Sequence, residues 1–175
     1  MRSQWVAGLC LLLVGALLLV PHAEAEERSM DFSGEGFSLE LPAEWVKVPE
    51  DVFRKKMRPL KKAYENSGSE RRFDYDHAVQ LKSREWFQYP YMLINLWEDT
   101  RVDSDEISEM NQRMEETLLK GDVGVNGTEM VSSSYDPERH FYRADVRFSL
   151  SDRQMVLMKG VYYLNHSVLQ LSAYM

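Results

Sequence analysis

The chain has 175 residues, a net charge of −7 and a single cysteine, Cys10. Its length fits one domain that can bury most of its apolar surface. Since Cys10 lies within the first 25 residues, the rest of the chain has no disulfide, no thiol nucleophile and no thiolate metal ligand.

Residues 1–25 have the pattern of a secretory signal peptide. A basic start at Arg2 precedes an apolar run that Pro21 ends, and small residues follow at Ala23 and Ala25. The run is shorter than the roughly 20 residues of a transmembrane helix. We predict cleavage after Ala25, with an uncleaved anchor as the alternative. A disulfide-free exported domain is typical of bacteria, so we expect the periplasm or the extracytoplasmic face of the membrane.

Residues 26–35 are expected to form a short lead, and residues 36–175 a single domain. Apolar and polar residues alternate from Phe37 to Leu41, which predicts a half-buried strand, and residues 45–48 continue in an extended path. The period then changes to that of a helix, which we predict from Glu50 to about Asn66. Pro59 should kink or divide this helix near Met57. The expected apolar stripe consists of Val52, Phe53, Met57, Leu60 and Tyr64.

Two long strands are predicted next, at residues 73–82 and 86–98. Pro90 favours a bulge or an edge position in the second. Because this strand is apolar on both faces, we expect it to lie between two layers, with a groove for a lipid tail or peptide as the alternative.

A second helix is predicted after Asp103, which can form a capping box with Glu106. Gly121 should stop this helix. Its expected buried stripe consists of Ile107, Met110, Met114 and Leu118.

The rest of the chain predicts an antiparallel meander of strands at residues 128–135, 140–150, 154–164 and 168–174. A strand-rich sheet with two segregated helices is an α+β fold. We expect the last strand to present an unprotected outer edge, which favours continuation of the natural chain beyond Met175. In the strand at 140–150 the residues predicted to face inward are Tyr142, Ala144, Val146 and Phe148.

The segment from Gly36 to Pro42, followed by Trp45, resembles the start of PsbP-like domains. The order of helices and strands after it is similar too. The resemblance implies an antiparallel sheet meander flanked by two helices, and a role as an assembly factor or binding module rather than an enzyme. It implies no shared catalytic residues. The last helix of that family is missing from this chain.

The charge pattern of the first helix indicates a binding surface. Between positions 54 and 72, eight lysines and arginines face two glutamates, although the whole chain is acidic. Such a surface could bind a protein partner or an anionic membrane, or its cations could pair with the protein's own acids. We do not expect a nucleic-acid partner for an exported protein. The predicted anionic-partner surface consists of Arg54, Lys55, Lys56, Arg58, Lys61 and Lys62.

No sequence motif predicts a catalytic residue, a cofactor or a metal site. The one cluster with metal-ligand atoms is Asp74, Asp76 and His77, and strand alternation would point His77 away from both carboxylates. We therefore expect a non-catalytic binding or assembly module of the bacterial envelope. The alternatives are the extracytoplasmic domain of a longer membrane protein, and a small envelope hydrolase that uses His77 or His140.

Overall fold

A computed structural model describes residues 27–32, 36–66, 74–82, 85–120, 125–150 and 152–175. The predicted signal peptide, Arg71, Arg72 and Gly121 lie outside these residues. The described elements are β1 (Glu27–Phe32), β2 (Phe37–Pro42), β3 (Trp45–Lys47), α1 (Glu50–Asn66), β4 (His77–Leu81), β5 (Tyr91–Glu98), α2 (Glu106–Leu119), β6 (Val125–Asp136), β7 (Phe141–Leu150), β8 (Arg153–Tyr163) and β9 (Ser167–Tyr174).

Helices and antiparallel strands are both present, so the α+β fold class is confirmed. The chain divides between Val46 and Lys47 into two contact units. In the described part of the chain, no helix has the length and apolar character needed to cross a membrane.

The described part of the first unit contains an antiparallel pair, β1 and β2. Strand β1 lies within residues 26–35, which the sequence pattern predicts as a short lead without a strand. The signal was short, because only Met30 and Phe32 alternate with polar residues. Both side chains are buried, and the rings of Phe32 and Phe37 stack with their centroids 4.7 Å apart. Packing against β2 therefore defines a strand that its own sequence barely indicates.

The second unit contains six strands of a larger sheet, in the order β4-β5-β9-β8-β7-β6. Strands β6 to β9 pair antiparallel with their sequence neighbours, and β9 also pairs with β5. The expectation that the last strand has an unprotected edge is therefore wrong. Strand β9 is hydrogen-bonded to a strand on each side. Its Ser172 lies opposite Leu93 of β5, and its Leu169 lies opposite Tyr162 of β8.

Both helices pack on the same face of this sheet. Directly paired residues share a face, and the partners Leu93, Ser172, Lys159 and Ala144 form one row across β5, β9, β8 and β7. Leu93 belongs to the cluster of α1, and Ala144 to that of α2. Lys159 and Ser172 therefore lie in the row between the two clusters.

Strand β5 starts at Tyr91, later than the sequence indicated. Pro90 precedes it, after a cis peptide bond from Tyr89. The prediction of an edge or a bulge at Pro90 is wrong, because β5 pairs with β4 on one side and β9 on the other. The four residues from Met92 to Asn95 are all buried.

Helix α1 has the predicted bounds, whereas helix α2 starts later than predicted. Helix α1 is one continuous helix with Pro59 inside it, so it is not divided. Helix α2 starts at Glu106, whose Oε2 accepts a hydrogen bond from the backbone N–H of Asp103 at 3.2 Å. The carboxylate of Asp103 pairs with Arg101 instead of capping the helix. The predicted capping box therefore forms in one direction only.

Candidate functional site

The six predicted cations form one exposed surface on α1, which we call the basic face. Phe53 and Met57 are buried on the other side of the helix. Because a helix turns about 100° per residue, Lys55, Arg58 and Lys62 lie opposite this buried pair. The basic face consists of Arg54, Lys55, Lys56, Arg58, Lys61 and Lys62, all exposed.

Two cations of the basic face are paired within the protein. Arg54 pairs with Glu50 one helical turn earlier, and Lys61 Nζ with Asp74 Oδ1 at 2.5 Å. The hydrogen bond and charge of Asp74 raise the pKa of Lys61. The other four, Lys55, Lys56, Arg58 and Lys62, have no ion-pair partner among the described residues.

The second half of α1 projects into solvent. Leu60 was expected in the buried stripe, but it is 38% exposed, and every residue from Arg58 to Ala63 is exposed. The prediction for Leu60 is therefore wrong. The helical period predicts on which side of the helix a side chain lies. Whether that side chain is buried depends on how far the surface that packs against the helix extends along it.

The cluster of Asp74, Asp76 and His77 is arranged differently from expectation. Strand β4 starts at His77, so both aspartates precede the strand and the alternation argument does not apply to them. The Asp74 carboxylate pairs with Lys61, and Asp76 Oδ2 accepts a hydrogen bond from the backbone N–H of Leu96 at 2.9 Å. The Asp74 carboxylate therefore contacts α1, and the Asp76 carboxylate contacts β5.

A cleft between α2 and strands β6 and β7 was not predicted. Its volume is about 410 Å³, within the roughly 300–1,000 Å³ typical of small-ligand sites. We call it the α2 cleft. Its walls include Ser104, Ser108, Asn111, Glu115, Ser134 and Tyr135.

Two hydrogen bonds fix the polar side chains of this cleft. The hydroxyl of Tyr142 donates to Glu115 Oε1 at 3.2 Å, and that of Tyr163 donates to Asn111 Oδ1 at 2.6 Å. Burial raises the pKa of Tyr142, and the Glu115 charge raises it further. Burial also raises the pKa of Tyr163 to about 12. Both tyrosines are therefore neutral donors near pH 7.

A second cleft of about 370 Å³ adjoins the first and shares Ser104 and Ile107 with it. His140 and His166 lie in its wall. The Nδ1 atom of His140 lies 3.2 Å from the Tyr135 hydroxyl, so this ring contacts a weakly acidic phenol rather than a carboxylate. The geometry does not bring His140 together with His77, which lies at the start of β4.

One signal in the sequence could have indicated the α2 cleft. Asn111 lies within the apolar stripe of α2, four residues after Ile107, where a polar residue is unexpected. The serines of β6 carried no comparable signal, because polar residues are usual on the solvated face of an antiparallel sheet. Only the packing of α2 beside β6 brings these side chains together.

Comparison with known proteins supports the architecture. Cyanobacterial PsbP (CyanoP) from Synechocystis sp. PCC 6803 has a similar solution structure, with a TM-score of 0.52 and 11% identity over 86% of this chain and 80% of that chain. The chain has a PsbP-like fold. The 1.9 Å crystal structure of the Saccharomyces cerevisiae Ran-binding protein Mog1p is also similar, with a TM-score of 0.52 and 11% identity over 86% of this chain and 77% of that chain.

At this level of identity the PsbP-like likeness extends to the fold alone. No protein-family model and no curated protein sequence matches the chain. The fold alone assigns no function to the chain, because one fold can carry many unrelated functions.

Proposed function

We propose that this protein is an exported, non-catalytic binding or assembly module of the bacterial envelope, and that it docks on an anionic surface through the basic face of α1. Its finer architecture would be a meander flanked by two helices, as in PsbP-like domains. The observation that carries the proposal is the set of four exposed cations on α1 without an ion-pair partner among the described residues.

The placement of these cations supports docking rather than internal stabilisation. Lys55, Arg58 and Lys62 follow one another at spacings of three and four residues, so they lie in a row along the helix. Opposite this row, Phe53 and Met57 anchor the helix to Ala78 and Leu93. A flat anionic surface can therefore meet the row without displacing the helix from the sheet.

The expected affinity of the basic face is low. A lysine or arginine close to an anionic membrane contributes about 1 kcal/mol, so four free cations contribute about 4 kcal/mol, which corresponds to a dissociation constant of about 1 mM. Docking through α1 alone is therefore transient and sensitive to salt. A retained anchor at residues 1–25, or a second contact with the partner, would make the attachment stable.

The direct test is co-sedimentation with vesicles that contain phosphatidylglycerol, at low and at high salt. The triple substitution Lys55→Gln, Arg58→Gln and Lys62→Gln should abolish the binding seen at low salt and leave the fold intact. The control removes three cations that are already paired, through Arg101→Gln, Arg113→Gln and Arg147→Gln. This control has the same net charge and should still bind.

Each outcome is informative. Equal loss in both triple variants would mean that net charge, rather than the basic face, attracts the protein. If neither the wild type nor the control binds vesicles, an acidic protein is the remaining partner, and crosslinking from Lys56, which both variants keep, should capture it in intact envelopes. An envelope crosslink that the Lys55, Arg58 and Lys62 substitutions do not weaken would refute the proposal.

Export is tested separately by the intact mass of the native protein from soluble and membrane fractions. A soluble species that starts at Glu26 would support a cleaved signal and a periplasmic module. A heavier species confined to the membrane fraction would support a retained anchor. Recovery from the cytoplasm alone would refute export.

A further inference from the structure

Asn111 places a buried polar group in the wall of the α2 cleft. Its side chain is 8% exposed, and its Oδ1 accepts the hydrogen bond from Tyr163. Its Nδ2 has no hydrogen-bond partner among the described residues. Since buried polar groups in proteins are nearly always paired, two amide donors beside a cleft indicate a partner that carries acceptor oxygens.

Glu115 supplies the complementary acceptor. It follows Asn111 by four residues, so the two side chains lie on the same side of α2. Its Oε1 accepts from Tyr142, while its Oε2 has no partner among the residues that the structure describes. A donor and an acceptor one helical turn apart match a pair of neighbouring hydroxyls, because each hydroxyl can donate and accept at the same time.

The other residues in the wall of the α2 cleft can also bind a ligand that carries hydroxyl groups. Serine hydroxyls at positions 104, 108, 133 and 134 can adapt to either role. Tyr135 lies partly exposed in the wall, with its ring held edge-on against Tyr163 at a centroid distance of 6.3 Å. An aromatic ring of this kind offers an apolar surface to the C–H groups of a sugar ring, while its hydroxyl keeps a polar contact.

The charge of the residues that line the α2 cleft disfavours anionic ligands. Among the residues that the structure describes, Glu115 is the one charged residue in the wall of the α2 cleft, and no lysine or arginine lines it. A ligand with a carboxylate or phosphate would meet a negative charge without a compensating cation. A neutral ligand with several hydroxyls meets a donor, an acceptor and an apolar face.

We propose that the α2 cleft is a binding site for a neutral saccharide, in which Asn111 and Glu115 bind adjacent sugar hydroxyls and Tyr135 packs against the ring. The site is separate from the basic face of α1 and does not depend on it. A single sugar ring makes few contacts here, so binding is weak and strengthens with a disaccharide that reaches the adjoining cleft at His140 and His166.

The test is an NMR titration of the full chain with glucose, N-acetylglucosamine and a disaccharide, monitored through backbone amides. Shifts should concentrate in α2 and in β6 near Ser134 and Tyr135. Glu115→Gln keeps an oxygen for the Tyr142 hydroxyl but removes the charge, and Asn111→Leu removes the amide. Each should weaken binding about tenfold, as expected for the loss of one buried hydrogen bond.

Matched variants separate binding from folding. Tyr135→Leu should weaken binding, while Tyr135→Phe, which keeps the ring, should bind like the wild type. Glu98→Gln, on the exposed end of β5 away from the cleft, should have no effect. If Asn111→Leu does not fold, the Tyr135 pair and Glu115→Gln still decide the question. Absence of cleft shifts with every sugar, or shifts with ethanolamine but with no sugar, would overturn the proposal.

Discussion

Lys159 on β8 donates a hydrogen bond from Nζ to Oε1 of Gln170 on β9 at 2.8 Å, and both side chains are buried. The same Nζ donates to Ser172 Oγ at 2.9 Å and lies 5.9 Å from the centre of the Tyr75 ring. No carboxylate pairs with it among the described residues. Burial lowers the pKa of Lys159 to about 8.

This environment predicts a stability that rises with pH. Below pH 8 the lysine is charged in both states, and the folded state carries the full cost of the buried charge. Between pH 8 and the unfolded value of 10.5, the folded state has released its proton while the unfolded state still binds one. The free energy of unfolding should therefore increase across this window.

Substitution of Lys159→Met should remove that dependence. It should also raise the free energy of unfolding near pH 7 by about 1–3 kcal/mol, since an apolar side chain replaces a buried charge. The measurement is urea unfolding of both proteins at several pH values from 7 to 9.5. A difference between wild type and variant that stays constant with pH would contradict this prediction.

The stability of the protein should depend on the side-chain amide donor of Gln80. It is fully buried; its Oε1 accepts from the backbone N–H of Phe87 at 2.6 Å and its Nε2 donates to the carbonyl of Glu85 at 3.0 Å. Gln80→Glu keeps the acceptor but loses the donor, so we expect a loss of about 1–3 kcal/mol at pH 7.

Thermal unfolding measures this loss, and exposed Gln88 provides the matched position. Gln88→Glu should change stability by less than about 0.5 kcal/mol. Similar losses at the two positions would show that the Gln80 hydrogen bonds do not hold the segment before β5.

Gly160 has little space for a side chain. A methyl group there would lie 3.1 Å from Cε2 of Phe141, whose ring is stacked on Tyr162 at 4.3 Å. Gly160→Ala should therefore cost about 1–3 kcal/mol through overpacking. In a Phe141→Leu background the cost should fall, because the smaller side chain can move. A double-mutant cycle measures this coupling, and strict additivity would contradict the packing explanation.

The two apolar positions Met57 and Leu60 should differ in their contribution to stability. Met57 is buried against the sheet, whereas Leu60 is 38% exposed. Met57→Ala should cost about 2–4 kcal/mol, and Leu60→Ala less than about 1 kcal/mol. Chemical denaturation of both variants measures the difference, and equal costs would mean that Leu60 is covered in solution.

The sequence predicted the helices and strands better than it predicted which of them lie side by side. The spacing of apolar residues identified α1, α2 and the inward residues Tyr142 and Ala144. This is because the apolar residues of one helix or strand recur on the face that is buried. It did not place β9 between β5 and β8, since strand pairing depends on partners far apart in the chain. It missed β1 because two apolar residues are too few for a pattern.

The candidate sites differ in the same way. The basic face of α1 is continuous in sequence, so composition alone located it, and the structure added that two of its six cations are paired. The α2 cleft combines side chains from α2, β6 and β7. No single segment contains enough of it for sequence analysis to detect.

The position of β9 makes folding depend on the last strand described. Strands β4 and β5 lie on one side of it and β6 to β8 on the other, with no shared edge. Until Ser167–Tyr174 is inserted, the chain consists of two partial sheets with open edges that can pair with other molecules. Closing this gap requires contact between distant parts of the chain, which slows folding. A chaperone that shields both edges until Ser167–Tyr174 is inserted would therefore favour correct folding over aggregation.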